Sequence, residues 1–144
     1  MTFNLDPRLA ADTHRLGQLA LSEVLLMDNA LLPWFILVPR VSETELFQLD
    51  ETRRQQLFDE TTALSSFVAE GFPVDKLNVA AIGNVVAQLH VHVVGRRQDD
   101  FAWPGVVWGR PEREAYAAMT VTEIRERLVA AFGDRFRTIA GETN

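Results

Sequence analysis

Three histidines occur in the 144 residues, and two of them stand on alternate positions in Gln88-Leu89-His90-Val91-His92-Val93-Val94-Gly95-Arg96-Arg97. Side chains of an extended strand alternate between faces, so Gln88, His90 and His92 share one side while Leu89, Val91 and Val93 share the other. The apolar set suits a core. The polar set offers two imidazoles and an amide, with about 7 Å between successive same-face positions. Three uses fit this pattern. The first is a polar strand side facing solvent, although Thr, Arg or Glu would fill such a face in a chain otherwise so poor in histidine. The second is a metal site, in which two imidazoles hold zinc or a non-haem metal and at least one more ligand is needed. No His-Glu or Cys partner stands at a recognisable spacing for it. The third is an activated imidazole acting as nucleophile or general base, oriented by its neighbour beside an anion site.

Other residues could join such chemistry. Arg96 and Arg97 follow the histidines directly and are candidates to reach a phosphate, against the plain alternative of charged residues at a strand end. Asp28-Asn29 reads as a turn after a strand. Trp103, Pro104, Gly105 and Trp108 form an aromatic, turn-rich segment suited to packing or a dimer contact, with base stacking by Trp103 as the competing use. His14 is read as structural or exposed.

The elements that must position these residues follow from the same sequence. Asp6 with Pro7 starts a short helix reaching about Asp12. Residues 14–27 are ambiguous by period, but Val24-Leu25-Leu26-Met27 before Asp28-Asn29 reads as a strand ending in a turn. The continuous apolar run Phe35-Ile36-Leu37-Val38 predicts a strand buried on both faces and closed by Pro39 and Arg40. Asp50 can cap a helix whose stripe is Leu57, Thr61, Leu64 and Val68, widened by Phe58 and Phe67 and ended by Gly71. Leu77 to Ile82 and Leu89 to Val94 read as strands around a Gly83-Asn84 turn. A last helix, about Val121 to Phe132, uses Ile124, Leu128, Val129 and Phe132 and ends at Gly133. Strands in a meander with a crossing helix predict an α+β fold with a mostly antiparallel sheet of about five strands. One domain over 1–144 is expected, with its core over about 14–105 and a C-terminal helical extension over about 110–144.

Composition narrows the partners. A net charge of −6 and an isoelectric point near 5.0 give no basic field for nucleic acid or an anionic bilayer. A single phosphate can still be held by local arginines and backbone amides. The absence of cysteine removes disulfides and thiolate catalysis and fits a reducing cytoplasm. The start MTFNLDPRLAADTHR has no basic segment followed by a long apolar run, and no stretch approaches the ~20 apolar residues of a membrane span.

The segment QLHVHVV resembles the His-φ-His-φ-His-φ-φ signature (φ apolar) of the histidine-triad (HIT) family of nucleotide hydrolases and transferases, with Gln88 at the first histidine. Gly83-Asn84-Val85-Val86 stands where that family usually has Gly-Gln-Ser/Thr-Val. Phe35 to Arg40 is similar to its buried strand ending in Pro-Lys/Arg, and the resemblance spans roughly residues 20–105. It implies a HIT-like fold and a homodimer, and with only two histidines on the face and no third ligand, no metal or other cofactor is expected. It implies attack by His90 on the α-phosphorus of a nucleoside phosphoramidate or dinucleoside polyphosphate, through a nucleotidyl-histidine that water cleaves. The ligand is then a purine nucleotide or related phosphate ester. His92 would bond the phosphate or the active ring, Asn84 would offer an amide in place of glutamine, and Gln88 would support from behind. Asp28, with Asn29, would stand where the ribose-binding acid lies. Gln88, Asn84 and Val85 are departures that bear on substrate and rate. Two other classes remain open: a nucleotide-binding module without turnover, and a metal-binding protein using His90 and His92.

Overall fold

The run Phe35 to Val38 lies inside β3 (Trp34–Pro39), and all six residues of that strand are buried. The computed structural model, which describes residues 2–139, explains this by covering both faces of the sheet. Phe35 and Leu37 meet one apolar layer together with Leu26, Val91 and Val93, while Trp34, Ile36 and Val38 meet a second one with Leu9, Leu25 and Val94. The other strands are β1 (Thr13–Gln18), β2 (Ser22–Met27), β4 (Lys76–Ala80), β5 (Val91–Arg96) and the two-residue β6 (Arg137–Thr138). Their order is β4-β5-β3-β2-β1-β6, and every pairing is antiparallel. The fold is therefore α+β with an open antiparallel sheet. The expected five strands gain β6, too short to carry a period of its own.

Two helices cover the first face. The longer, α2 (Glu51–Gly71), is capped by Asp50, whose carboxylate accepts from the Arg53 amide at 2.8 Å. It buries Leu57, Leu64 and Val68, but Phe58 is 66% exposed. One residue past Leu57 is about 100° further round the helix, which carries Phe58 off the buried stripe. The last helix, α3 (Ala118–Phe132), begins three residues before its expected start and buries Val121, Ile124, Leu128 and Phe132. Val129, expected on that side, is exposed. The end of the expected C-terminal extension, 140–144, lies outside the described residues.

The second face carries a short helix, α1 (Pro7–Asp12), and the turn-rich segment 97–109. Asp6 caps α1 by accepting from the Arg8 amide at 2.8 Å, and Leu9 plugs the helix into the second apolar layer. The two strands beside the histidines are displaced from their expected positions: β4 ends at Ala80, and β5 runs over 91–96 instead of 89–94. Gly83, at φ +72°, turns the connecting loop with a backbone that favours glycine. No helix among the described residues is long and apolar enough to cross a membrane.

Candidate functional site

Because β5 begins at Val91, His90 sits immediately before it and His92 lies within it. His92 is paired with Ile36 of β3 on one side and Ala80 of β4 on the other. The alternation holds: Leu89, Val91 and Val93 enter the helix-covered core. Both imidazoles are nonetheless buried, at 6% and 5% exposure, so this is not a solvent-facing strand side. Their ring centroids are 4.9 Å apart in an edge-to-face arrangement.

The hydrogen bonds distinguish the two rings. Nδ1 of His90 is 2.7 Å from the backbone oxygen of Gln88. A carbonyl only accepts, so Nδ1 carries the proton and Nε2 of the neutral ring keeps its lone pair. For His92 the order is reversed: Nδ1 accepts from the indole N–H of Trp34 at 3.0 Å. An indole nitrogen only donates, so the proton of neutral His92 sits on Nε2. Burial, reinforced by the nearby His90, lowers the pKa of His92 from 6.5 to about 4. Trp108 packs edge-on against both His92 and Trp34.

Both histidines line a cavity of about 540 Å³. Its walls are Arg8, Leu9 and Asp12 from α1, Met27 and Ile36 from the sheet, the 82–86 loop with Asn84, and Trp108. That is a mostly apolar hollow with a few polar groups, the usual build of a small-molecule site. Asp12 is its one acidic wall residue among the described residues.

The other candidates lie elsewhere. Gln88 does not line the cavity, and its side-chain amide bonds the backbone of residues 4 and 6. Asp28 accepts from His14 Nε2 and from the Tyr116 amide, each at 2.9 Å. Burial pushes its carboxyl up, but the Tyr116 amide and the His14 ring outweigh this and leave it below the ordinary carboxylate value. The Tyr116 phenol is pushed up to about 12 by burial and by the charge of Asp28. Asn29 is buried and spends its amide on Leu31, Glu112 and Glu114. Arg96, 2% exposed, is not free for a phosphate, since its guanidinium is committed to Asp100, Asn78 and the Gly105 carbonyl. Arg97 pairs with Asp99, and the Trp103 ring sits under the Arg96 guanidinium at 5.7 Å. These residues build turns and loop anchors, and none of them reaches the cavity wall. Arg8, Asp12 and Trp34 carry no motif that singles them out, and Trp108, expected in packing or a dimer contact with base stacking as the competing use, stands on the cavity wall.

No group of three or more His, Cys, Asp or Glu residues that could hold a metal ion occurs among the described residues. An open antiparallel sheet with a crossing helix, bearing an imidazole pair at the head of the strand next to the sheet edge and beside a cavity of about 540 Å³, defines a HIT-like α+β protein. The family model of the HIT domain matches residues 8–99, and the chain belongs to that family. A histidine triad protein from Marinobacter aquaeolei VT8 is 44% identical, with a TM-score of 0.88 over 94% of this chain and 99% of the other. One from Bradyrhizobium japonicum is 41% identical, with a TM-score of 0.87 over 91% and 98%. A third, from Sinorhizobium meliloti 1021, is 36% identical, with a TM-score of 0.87 over 90% and 97%. No curated protein matches the sequence. HIT domain proteins are in general nucleotide-binding hydrolases or transferases.

Proposed function

We propose that this chain is a nucleotidyl hydrolase or transferase that acts on the α-phosphate of nucleoside phosphoramidates or dinucleoside polyphosphates. The observation that carries this reading is the opposite hydrogen bonding of the two adjacent rings. The Gln88 carbonyl on Nδ1 leaves His90 an Nε2 lone pair, and the Trp34 indole on Nδ1 leaves His92 an Nε2–H. One ring is thereby a nucleophile and the other a donor. His90 Nε2 attacks phosphorus, a bond from phosphorus to Nε2 forms, the bond from phosphorus to the leaving group breaks, and that group departs with the bonding pair, taking a proton from solvent as an amine or remaining as a phosphate. The phosphorylated ring is cationic, and its Nδ1–H bond to the Gln88 carbonyl strengthens as that charge develops. His92 donates to a phosphoryl oxygen, and Asn84 adds an amide from the loop. Water, or another acceptor hydroxyl, then attacks phosphorus and gives up its proton to solvent, the bond from phosphorus to Nε2 breaks and His90 regains its lone pair.

The hollow over Leu9, Met27, Ile36 and Trp108 suits a purine nucleoside, and Asp12 offers the carboxylate for sugar hydroxyls that Asp28, held by His14 and Tyr116, does not. The ligand of this reading is a purine nucleotide or related phosphate ester, with no nucleic acid or membrane partner. The working form is a homodimer in the cytoplasm, supported by the edge strand β4 with its exposed Val79 and single charged residue, and by the cysteine-free composition.

The test is to quench the reaction of an adenosine phosphoramidate at early times and seek an acid-labile nucleotidyl adduct on the peptide spanning residues 88–96. His90→Asn should abolish the adduct and lower turnover by orders of magnitude while nucleotide binding persists. Robust turnover without an adduct, with His90→Asn keeping more than a few per cent of the rate, sinks covalent catalysis.

A further inference from the structure

The side chain of Gln88 forms a two-point clasp. Its Nε2 donates to the Asn4 carbonyl at 2.9 Å, and its Oε1 accepts from the Asp6 amide at 2.8 Å. A third bond lies alongside, from Arg8 Nη1 to the Val85 carbonyl at 2.9 Å. Together these tie the segment entering α1 to the loop and strand entry that carry Asn84 and His90. The ends being joined are more than 75 residues apart in sequence. α1 has six residues, too few to be stable as an isolated helix, so its position depends on what holds it. It is also a wall of the histidine cavity, contributing Arg8, Leu9 and Asp12.

The geometry points to Gln88 as a positioning residue that closes the nucleotide cavity by pinning α1 over it, and not as a proton-handling neighbour of His90; this rests on the nucleotide reading given above. The chemistry needed at position 88 is narrow. One planar amide both donates to a carbonyl and accepts from an N–H. A carboxylate cannot donate, methionine does neither, and an imidazole presents its two nitrogens on a shorter, ring-fixed geometry. The backbone oxygen of the same residue holds His90 Nδ1, and that contact survives any side-chain replacement. Substitution should therefore loosen the substrate wall and leave the nucleophile in place.

The experiment uses the full chain as wild type, Gln88→Met and Gln88→His. It combines hydrogen exchange over residues 4–12, calorimetric binding of adenosine and guanosine monophosphates, and steady-state kinetics on the matching phosphoramidates. Both variants should speed exchange of the Asp6 segment, weaken nucleotide binding and raise KM roughly tenfold, as expected for two lost hydrogen bonds, with kcat within about twofold of wild type. A fall in kcat at unchanged KM, or a Gln88→His enzyme at least as efficient as wild type, overturns the clasp in favour of a role beside the nucleophile. Unchanged exchange of residues 4–12 in Gln88→Met overturns it whatever the kinetics show. Failure of the wild type to bind either nucleotide would defeat the functional reading instead, while the exchange data would still decide whether Gln88 pins α1.

Discussion

Trp34 can only donate through its indole nitrogen, and that one-way chemistry makes His92 a neutral ring with its proton on the far nitrogen. Protonating Nδ1 would break the bond and place a cation in a buried aromatic cage beside His90. The consequence is visible in stability. Burial first, and His90 second, hold the folded value at about 4 against an ordinary value of 6.5. As pH falls through 6.5, the unfolded chain takes up the proton before the folded one. The contribution of His92 is thus intact above about 6.5 and is progressively lost down to about 4, by about 2 kcal/mol between pH 7 and 5. Asp28 and Asp100 lie below their ordinary 3.8, so their losses begin at more acidic pH. Glu60, raised chiefly by burial, acts with the opposite sign, since its contribution is present below 4.5 and fades as pH rises. Urea denaturation of wild type and His92→Gln from pH 7 to 5 isolates the histidine, because the variant should lose less stability over that range. Parallel curves would show that His92 is not held neutral.

At the scale of elements, the segment 97–109 places Trp108 against His92, and it is anchored through one buried ion pair. The Asp100 carboxylate accepts from Arg96 at 2.8 and 3.0 Å and from the amides of Arg97, Ala102 and Trp103. Burial alone would raise its pKa, yet Arg96 and the amides of Ala102 and Arg97 carry it well below the carboxylate range. Both side chains are almost wholly inaccessible, so removing one charge strands the other. Asp100→Asn should cost on the order of 3 kcal/mol in urea denaturation and weaken nucleotide binding as Trp108 loses its support. A loss below about 1 kcal/mol would show that Arg96 finds another partner. This segment also marks where the sequence stops being legible. The histidine pattern, the Asp50 cap and the buried β3 are set by neighbours within a few positions, so period and capping chemistry reveal them. Arg96 looked free because its carboxylate partner is recognisable only once the segment folds back. Asp28 looked like a ligand-binding acid because Tyr116, 88 positions away, is invisible to local pattern. Asp12 and Arg8 join the cavity through the return of α1 across the 83–88 segment, which no local signal announces.

For the whole molecule, the two ends of the sheet differ. One ends in the two-residue β6, while the other exposes β4, whose single charged residue is Lys76 and whose Val79 is 49% exposed. An edge strand with so little charge is a template for pairing with another chain. Ile82, Leu46 and Phe47 extend the apolar surface, with Phe47 78% exposed, and these three line one hollow beside His90. Trp103 and Trp108, the residues that first pointed to an interface, are instead engaged with Arg96 and His92 within the chain. A stable interface buries about 800 Å² per partner, roughly a tenth of the 8066 Å² surface here. Five strand residues cannot supply that area alone, but β4 together with the Leu46, Phe47 and Ile82 surface can. The expected assembly is an isologous pair in which two β4 edges join antiparallel and continue both sheets. Light scattering at micromolar concentration should give twice 16.2 kDa. Val79→Lys should shift the population to monomer, with folding stability little changed because the side chain is half exposed in one copy. A wild-type monomer excludes the pairing, and a Val79→Lys dimer as tight as wild type moves the interface away from this edge.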